Sequence, residues 1–255
     1  MKKISVYLAG ATLAGAAACT FSVVVVAAAA TWDLYASYPT PGPNPRGYTS
    51  EDEFTGYIVQ DGPTPYVYRM YWYSSKVLAS FPAPGGAGAW GICRGPGSNL
   101  FLSNGTTSWI YKITTTGSVV SSFRCPLAGP ADLDRGFGSK LYVPIPGRNV
   151  IAVLDENTGS LVSTFSGPGS RPTACGGYPG EFFVADSATH AVYEEGKPVI
   201  TAIRTPTGFG NIALMVDGSV AGIYVADDAT NYIYFYRNAS PVAPASLGRV
   251  KALFR

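Results

Sequence analysis

A short apolar run returns five times along this chain at a nearly constant spacing, and that regularity restricts the fold more than any other property. It appears as Gly56 to Asp61, Asn99 to Asn104, Lys140 to Ile145, Glu181 to Asp186 and Gly222 to Asp227. The fourth residues of these runs, Val59, Leu102, Val143, Val184 and Val225, lie 43, 41, 41 and 41 positions apart. Other landmarks keep step with them. Eight positions on, a second alternating run opens at Val67, Ile110, Ile151, Val192 and Ile233. A further run follows in Lys76 to Phe81, Ser118 to Phe123, Ser160 to Phe165 and Pro198 to Ile203. Seven and eight positions back sit the pairs Glu51-Asp52, Arg94-Gly95, Arg135-Gly136, Gly176-Gly177 and Asp217-Gly218. Four of the five end in glycine, which points to hairpin turns with positive φ.

Four short strands per ~41 residues, repeated, is the pattern of a β-propeller blade. A single blade cannot bury both faces of its sheet, so the repeats must stack around an axis. The fifth repeat lacks an outermost strand at the usual distance. Asp33 to Tyr38 matches Val77 to Phe81 in pattern, and Tyr38 precedes Val59 by the same 21 positions as Phe81 precedes Leu102. The expected fold is therefore an all-β propeller of five four-stranded blades, with residues 32 to 39 closing the last blade; six blades is the alternative. Residues 31–240 form the propeller on this reading. Residues 241–255 form a C-terminal tail in which Leu247, Val250, Leu253 and Phe254 have the spacing of a short helix. Segments such as Lys140-Leu-Tyr-Val followed by Asn149 to Val162 resemble the NHL and YVTN-type repeats of secreted bacterial proteins. That resemblance implies the fold and no single activity.

Charge separates the N-terminus from the rest. Lys2 and Lys3 precede an uncharged stretch from Ile4 to Ala30 that ends in Ala28-Ala29-Ala30. This is the pattern of a secretory signal peptide over residues 1–30, with an uncleaved membrane anchor as the alternative. The expected location is secreted or extracytoplasmic, in a periplasm or at a cell surface. Setting the two lysines aside leaves sixteen basic against sixteen acidic residues. A neutral domain without a basic stripe argues against a nucleic-acid partner. Only 13% of residues are charged while 47% are apolar, which excludes a disordered chain.

No sequence element announces chemistry. There is no P-loop, G-x-S-x-G elbow, calcium loop or CxxC pair, so no cofactor or metal is expected. The face bearing the blade-to-blade loops, with its channel mouth, is the default site. The candidate ligand-binding residues are Arg46, Trp90, Trp109, Asp132, Asp134 and Arg171. Arg46 and Arg171 hold equivalent positions thirteen before their anchors, and with the two aspartates they could bind a small polar ligand or could instead pair with one another between blades. Cys93, Asp134 and Cys175 share the position nine before the anchor, which is too few ligands for a zinc site. His190, the sole histidine, occupies the turn position of Asn149 and Asn231, and Asp61, Asn104, Asp186 and Asp227 share an Asx-turn position. The functional expectation is a non-enzymatic, monomeric binding module for a small polar ligand, a glycan or a protein, touching membrane only through an uncleaved N-terminus. Rings on the loop faces such as Trp109 and Tyr66 suit sugar. The alternative is a hydrolase or lyase acting on sugars or lactones, with Asp132 and Asp134 as its acid/base pair.

Overall fold

The computed structural model describes residues 32–238 except 53, 137, 179–180, 195–211 and 218–221. They form five antiparallel sheets. Blade 1 is Pro45–Ser50, Thr55–Gln60, Tyr66–Tyr71 and Lys76–Pro82, and blade 2 is Ala89–Arg94, Asn99–Asn104, Trp109–Thr114 and Val119–Arg124. Blade 3 comprises Asp134–Gly136, Lys140–Ile145, Val150–Asp155 and Leu161–Ser166; blade 4 comprises Pro172–Tyr178, Glu181–Asp186 and Ala191–Glu194. Blade 5 is Ile212–Asp217, Gly222–Asp227 and Tyr232–Asn238. Its outermost strand is Trp32–Pro39, which runs antiparallel to Tyr232–Asn238 with Tyr38 opposite Ile233. The N-terminal strand thus closes the ring as the repeat arithmetic requires. The signal-like segment, the run Pro198 to Ile203 and the C-terminal tail lie outside the described residues.

Each space between neighbouring blades holds its own apolar cluster. Tyr57 and Val59 of blade 1 meet Ile92 and Leu102 of blade 2. Ile58 and Met70 of blade 1 meet Tyr224 and Phe235 of blade 5 from the other side. Alternate residues of one strand therefore serve two interfaces, which is why Thr55–Gln60 is buried along its whole length. Burying each such side chain contributes about 1.5–3 kcal/mol, and no blade collects that without both neighbours.

Two turn expectations meet the structure differently. Asn104, Asp186 and Asp227 accept backbone N–H bonds from residues two or three on, while Asp61 accepts from Gly88 N–H of the next blade at 2.8 Å. His190 has φ +54°, like Ser108, Asn149 and Asn231 at the same repeat position. The glycines of the Arg94-Gly95 and Arg135-Gly136 pairs, in contrast, are not at positive φ; Gly97 and Gly138 are. Gly95 and Gly136 instead make room for a ring from the second strand. A Cβ on Gly136 would come within 2.0 Å of the Tyr142 ring, and one on Gly95 within 3.1 Å of Phe101.

Candidate functional site

The innermost strands pinch together at one level. A Cβ on Gly47 would stand 2.7 Å from Trp90 O and Ile92 N, and one on Gly91 would stand 2.4 Å from the Asp132 Cα. The Asp132 N–H donates to Thr173 O at 3.3 Å, carrying the contact on to blade 4. Only glycine lets backbones approach this closely. Ala131, Asp132 and Thr173 are consequently shut away from solvent. From this waist toward the hairpin face the strands diverge and leave a cavity of about 460 Å³. Its wall carries Ser50, Cys93, Arg94, Asp134, Arg135 and Gly177, from four blades.

The chemistry of this cup is set by Asp134. Burial pushes its carboxyl up to about 6, against the opposing backbone N–H groups of Arg135 and Gly177; Gly177 N–H lies 3.1 Å from its Oδ2. Cys93 and Cys175 flank the same strand. Burial, then the charges of Asp134 and Asp132, hold both thiols well above their ordinary value. They are protonated and poor nucleophiles. The cations at the rim are braced. Arg135 forms a two-pronged pair with the buried Glu156 at 2.5 and 3.2 Å, and Arg94 Nη1 donates to Glu51 O at 2.5 Å. The Glu51 carboxylate in turn holds Arg69 at 2.6 Å.

Of the six residues expected to bind ligand, only Asp134 reaches this cup. Arg46 lies beyond the waist, where Nη1 pairs with Asp228 of blade 5 at 2.9 Å, its Nε lies 3.9 Å from Asp61, and its guanidinium sits over the Trp90 ring of blade 2 at 5.2 Å. One side chain thereby clasps three blades. Arg171 is exposed and contributes its backbone N–H to Asp186 rather than joining Arg46. Trp109 is 37% exposed at the start of the third strand of blade 2, at the loop-face end, with Tyr111 at 6.4 Å. Asp132 is buried and absent from the cup wall, so it and Asp134 do not open on a common space.

The shared position of Cys93, Asp134 and Cys175 also needs correction. Cys93 pairs with Phe101 and Asp134 with Tyr142, both one before the anchor, whereas Cys175 pairs with the anchor Val184 itself. Tyr178 pairs with Glu181 across two intervening residues, whereas Gly136 pairs with Lys140 across three, so blade 4 is offset by one residue, and a one-residue slip turns a side chain to the opposite face. Cys175 therefore faces blade 3, donating to Tyr142 O at 3.4 Å. All three described cysteines are free, and the described residues hold no cluster of three metal-ligating side chains. Ser50, Arg94 and Arg135 carry no signal as ligand contacts in the sequence, because nothing local shows which channel mouth stays open.

No protein-family model matches this sequence, and no curated protein is similar to it. Among solved structures the chain is similar to a glutaminyl cyclase from Myxococcus xanthus, at 12% identity and a TM-score of 0.65, over 82% of this chain and 96% of that one. It is also similar to a catalytically inactive virginiamycin B lyase from Staphylococcus aureus with quinupristin, at 18% identity and a TM-score of 0.50, over 78% of this chain and 68% of that one. Identities this low speak to fold alone, and the chain is a five-bladed β-propeller related in architecture to these two structures.

Proposed function

We propose that the protein is an exported, non-enzymatic propeller that binds a small polar ligand bearing a protonated amine in the hairpin-face cup. The observation that carries this reading is the Asp134 carboxyl on the wall of a 460 Å³ polar recess. The volume suits a small molecule. A carboxylate accepts about four hydrogen bonds, and two backbone N–H groups take up only a share of that capacity. An ammonium would supply both the missing donors and the compensating charge. Export rests on the Lys2-Lys3 and Ile4 to Ala30 pattern, and the likeness to NHL and YVTN-type repeats fits a scaffold that carries function in its openings.

The test is calorimetric titration with small primary amines, amino acids and neutral sugars at pH 7 and pH 5. With a carboxyl near 6, amine binding should weaken about tenfold at the lower pH and vanish in Asp134→Asn. Binding only of neutral sugars, lost in Trp109→Ala, would overturn the cup in favour of the exposed aromatic surface. A second reading, catalysis, draws on the same carboxyl: a group near 6 is suited to general acid/base work, and both structural neighbours are enzymes by name. Turnover of any sugar, lactone or peptide substrate that disappears in Asp134→Asn would establish that reading instead.

A further inference from the structure

We propose that the hairpin face of the propeller rests on a lipid bilayer surface, seated by a rim of exposed apolar side chains. The rim is built by the repeat. Leu34, Val77, Val119 and Leu161 each stand four residues before a ring on the outermost strand, namely Tyr38, Phe81, Phe123 and Phe165. Equivalent positions in stacked blades lie at one height along the axis, and all four residues are 41–53% exposed. Their neighbours Tyr35, Val120 and Val162 are more exposed still, and Phe54 and Tyr73 extend the band at the turns of blade 1. At the opposite end the exposed large apolar residues among those described are Trp109 and Tyr232 alone.

The outermost strands carry guards of charge or proline at Asp33, Pro39, Lys76, Pro82 and Arg124. The exposed apolar side chains nonetheless recur at one level of four blades, and grouped exposure of this kind marks contact surfaces. Two observations choose lipid as the occupant. First, the chain enters blade 5 at Trp32, opposite Asn238, so it leaves the propeller on this same face, and the sequence before Trp32 is uncharged from Ile4 to Ala30. A segment that engages a bilayer would hold this face against it. Second, the domain after residue 30 has balanced charge, which suits shallow apolar insertion rather than attraction to anionic lipid. The proposal is independent of the amine reading. The cup opens at the centre of the docked face, so a ligand would reach it from the membrane side.

The full chain, with Cys19→Ser so that the buried native thiols are the only others, is placed in phosphatidylcholine vesicles carrying a lipid-borne quencher. Fluorophores go on Thr116→Cys or Asn157→Cys at hairpin-face turns, or on Arg148→Cys at the loop face. Quenching should be at least fivefold greater at 116 and 157 than at 148. Combining Val119→Ser, Val120→Ser, Leu161→Ser and Val162→Ser should abolish the difference while near-ultraviolet circular dichroism stays native. Equal quenching at all three positions would mean a tethered but undocked domain and overturn the proposal. So would shielding of 116 and 157 that persists without lipid together with cross-linking between copies, which would assign the rim to a second copy of the chain. Amine titration of the same serine variant separates this outcome from the ligand reading, because the cup residues are untouched.

Discussion

Replacing Gly91 with alanine adds a single carbon at the most crowded point of the molecule. That carbon would lie 2.4 Å from the Asp132 Cα and 2.6 Å from both Leu133 N and Asp132 Oδ1. Ordinary carbon contacts are at 3.5–4.0 Å, so the innermost strand of blade 3 must retreat by roughly 1 Å. Two of the obstructing atoms are backbone and have no rotamer to change. Retreat also loosens Leu133, which packs with Cys93 and Leu141 in the cluster between blades 2 and 3. Overpacking of this kind costs about 3 kcal/mol, against a gain of less than about 1 kcal/mol from removing glycine from a strand. For a domain of this size the net loss lowers Tm by roughly 4–12 °C. Thermal unfolding followed by circular dichroism measures it, with Gly62→Ala as the comparison. A Cβ on Gly62 meets nothing within 4 Å, and its φ is ordinary. That variant should be neutral or stabilised by up to about 1 kcal/mol. A Gly91→Ala protein as stable as the Gly62→Ala protein would refute the waist.

Asp134 holds its proton more tightly in the folded chain, about 6 against an ordinary 3.8, so its contribution to stability is fully present below pH 4 and is lost as pH rises toward 6. Asp134→Asn should flatten that slope in urea titrations and stabilise the protein at pH 7 by on the order of 1–3 kcal/mol, while removing amine binding. Arg46→Ala should cost about 2 kcal/mol in the same assay by opening the clasp with Asp228 and Trp90, and leave affinity in the cup unchanged. Arg46→Lys should recover only a fraction, since lysine lacks the flat face that lies over the indole. His190→Gly should lie within about 0.5 kcal/mol of the parent, and His190→Val should lose about 1–2 kcal/mol, because φ +54° is costly for a β-branched residue.

Phe81, Phe123 and Phe165 stand 22, 21 and 22 positions after their anchors, and Tyr38 precedes the anchor of blade 1 by the 21 positions that separate Phe81 from Leu102. That is why the ring closure is legible in the sequence. Such spacing reflects a physical repeat, in which each blade presents the same faces to like neighbours. Gly95 and Gly136 do not have the turn role that their pairs suggest, because a glycine required by a turn and one required by a neighbouring ring look alike in sequence. Cys175 stands on the opposite face because the connection between the first two strands of blade 4 is one residue shorter than in blade 3, a difference that has no periodic signature. The position of the cup was the least legible. It depends on how closely Gly47 and Gly91 approach strands in adjacent blades, and on Arg46 being spent between Asp228 and Trp90.

The waist has a kinetic consequence for whatever occupies the cup. Ala131, Asp132 and Thr173 are buried at the inner end of the recess, so a molecule that enters from the hairpin face arrives and departs by the same path. A membrane or partner laid over the hairpin face without touching the bound molecule would slow both steps by the same factor. Affinity would stay constant while residence time lengthened. Only an occupant of the face that distinguished the filled cup from the empty one could change the equilibrium itself. Equilibrium titration and dissociation kinetics on vesicles would therefore report different things about this protein, and lipid should affect the second far more than the first.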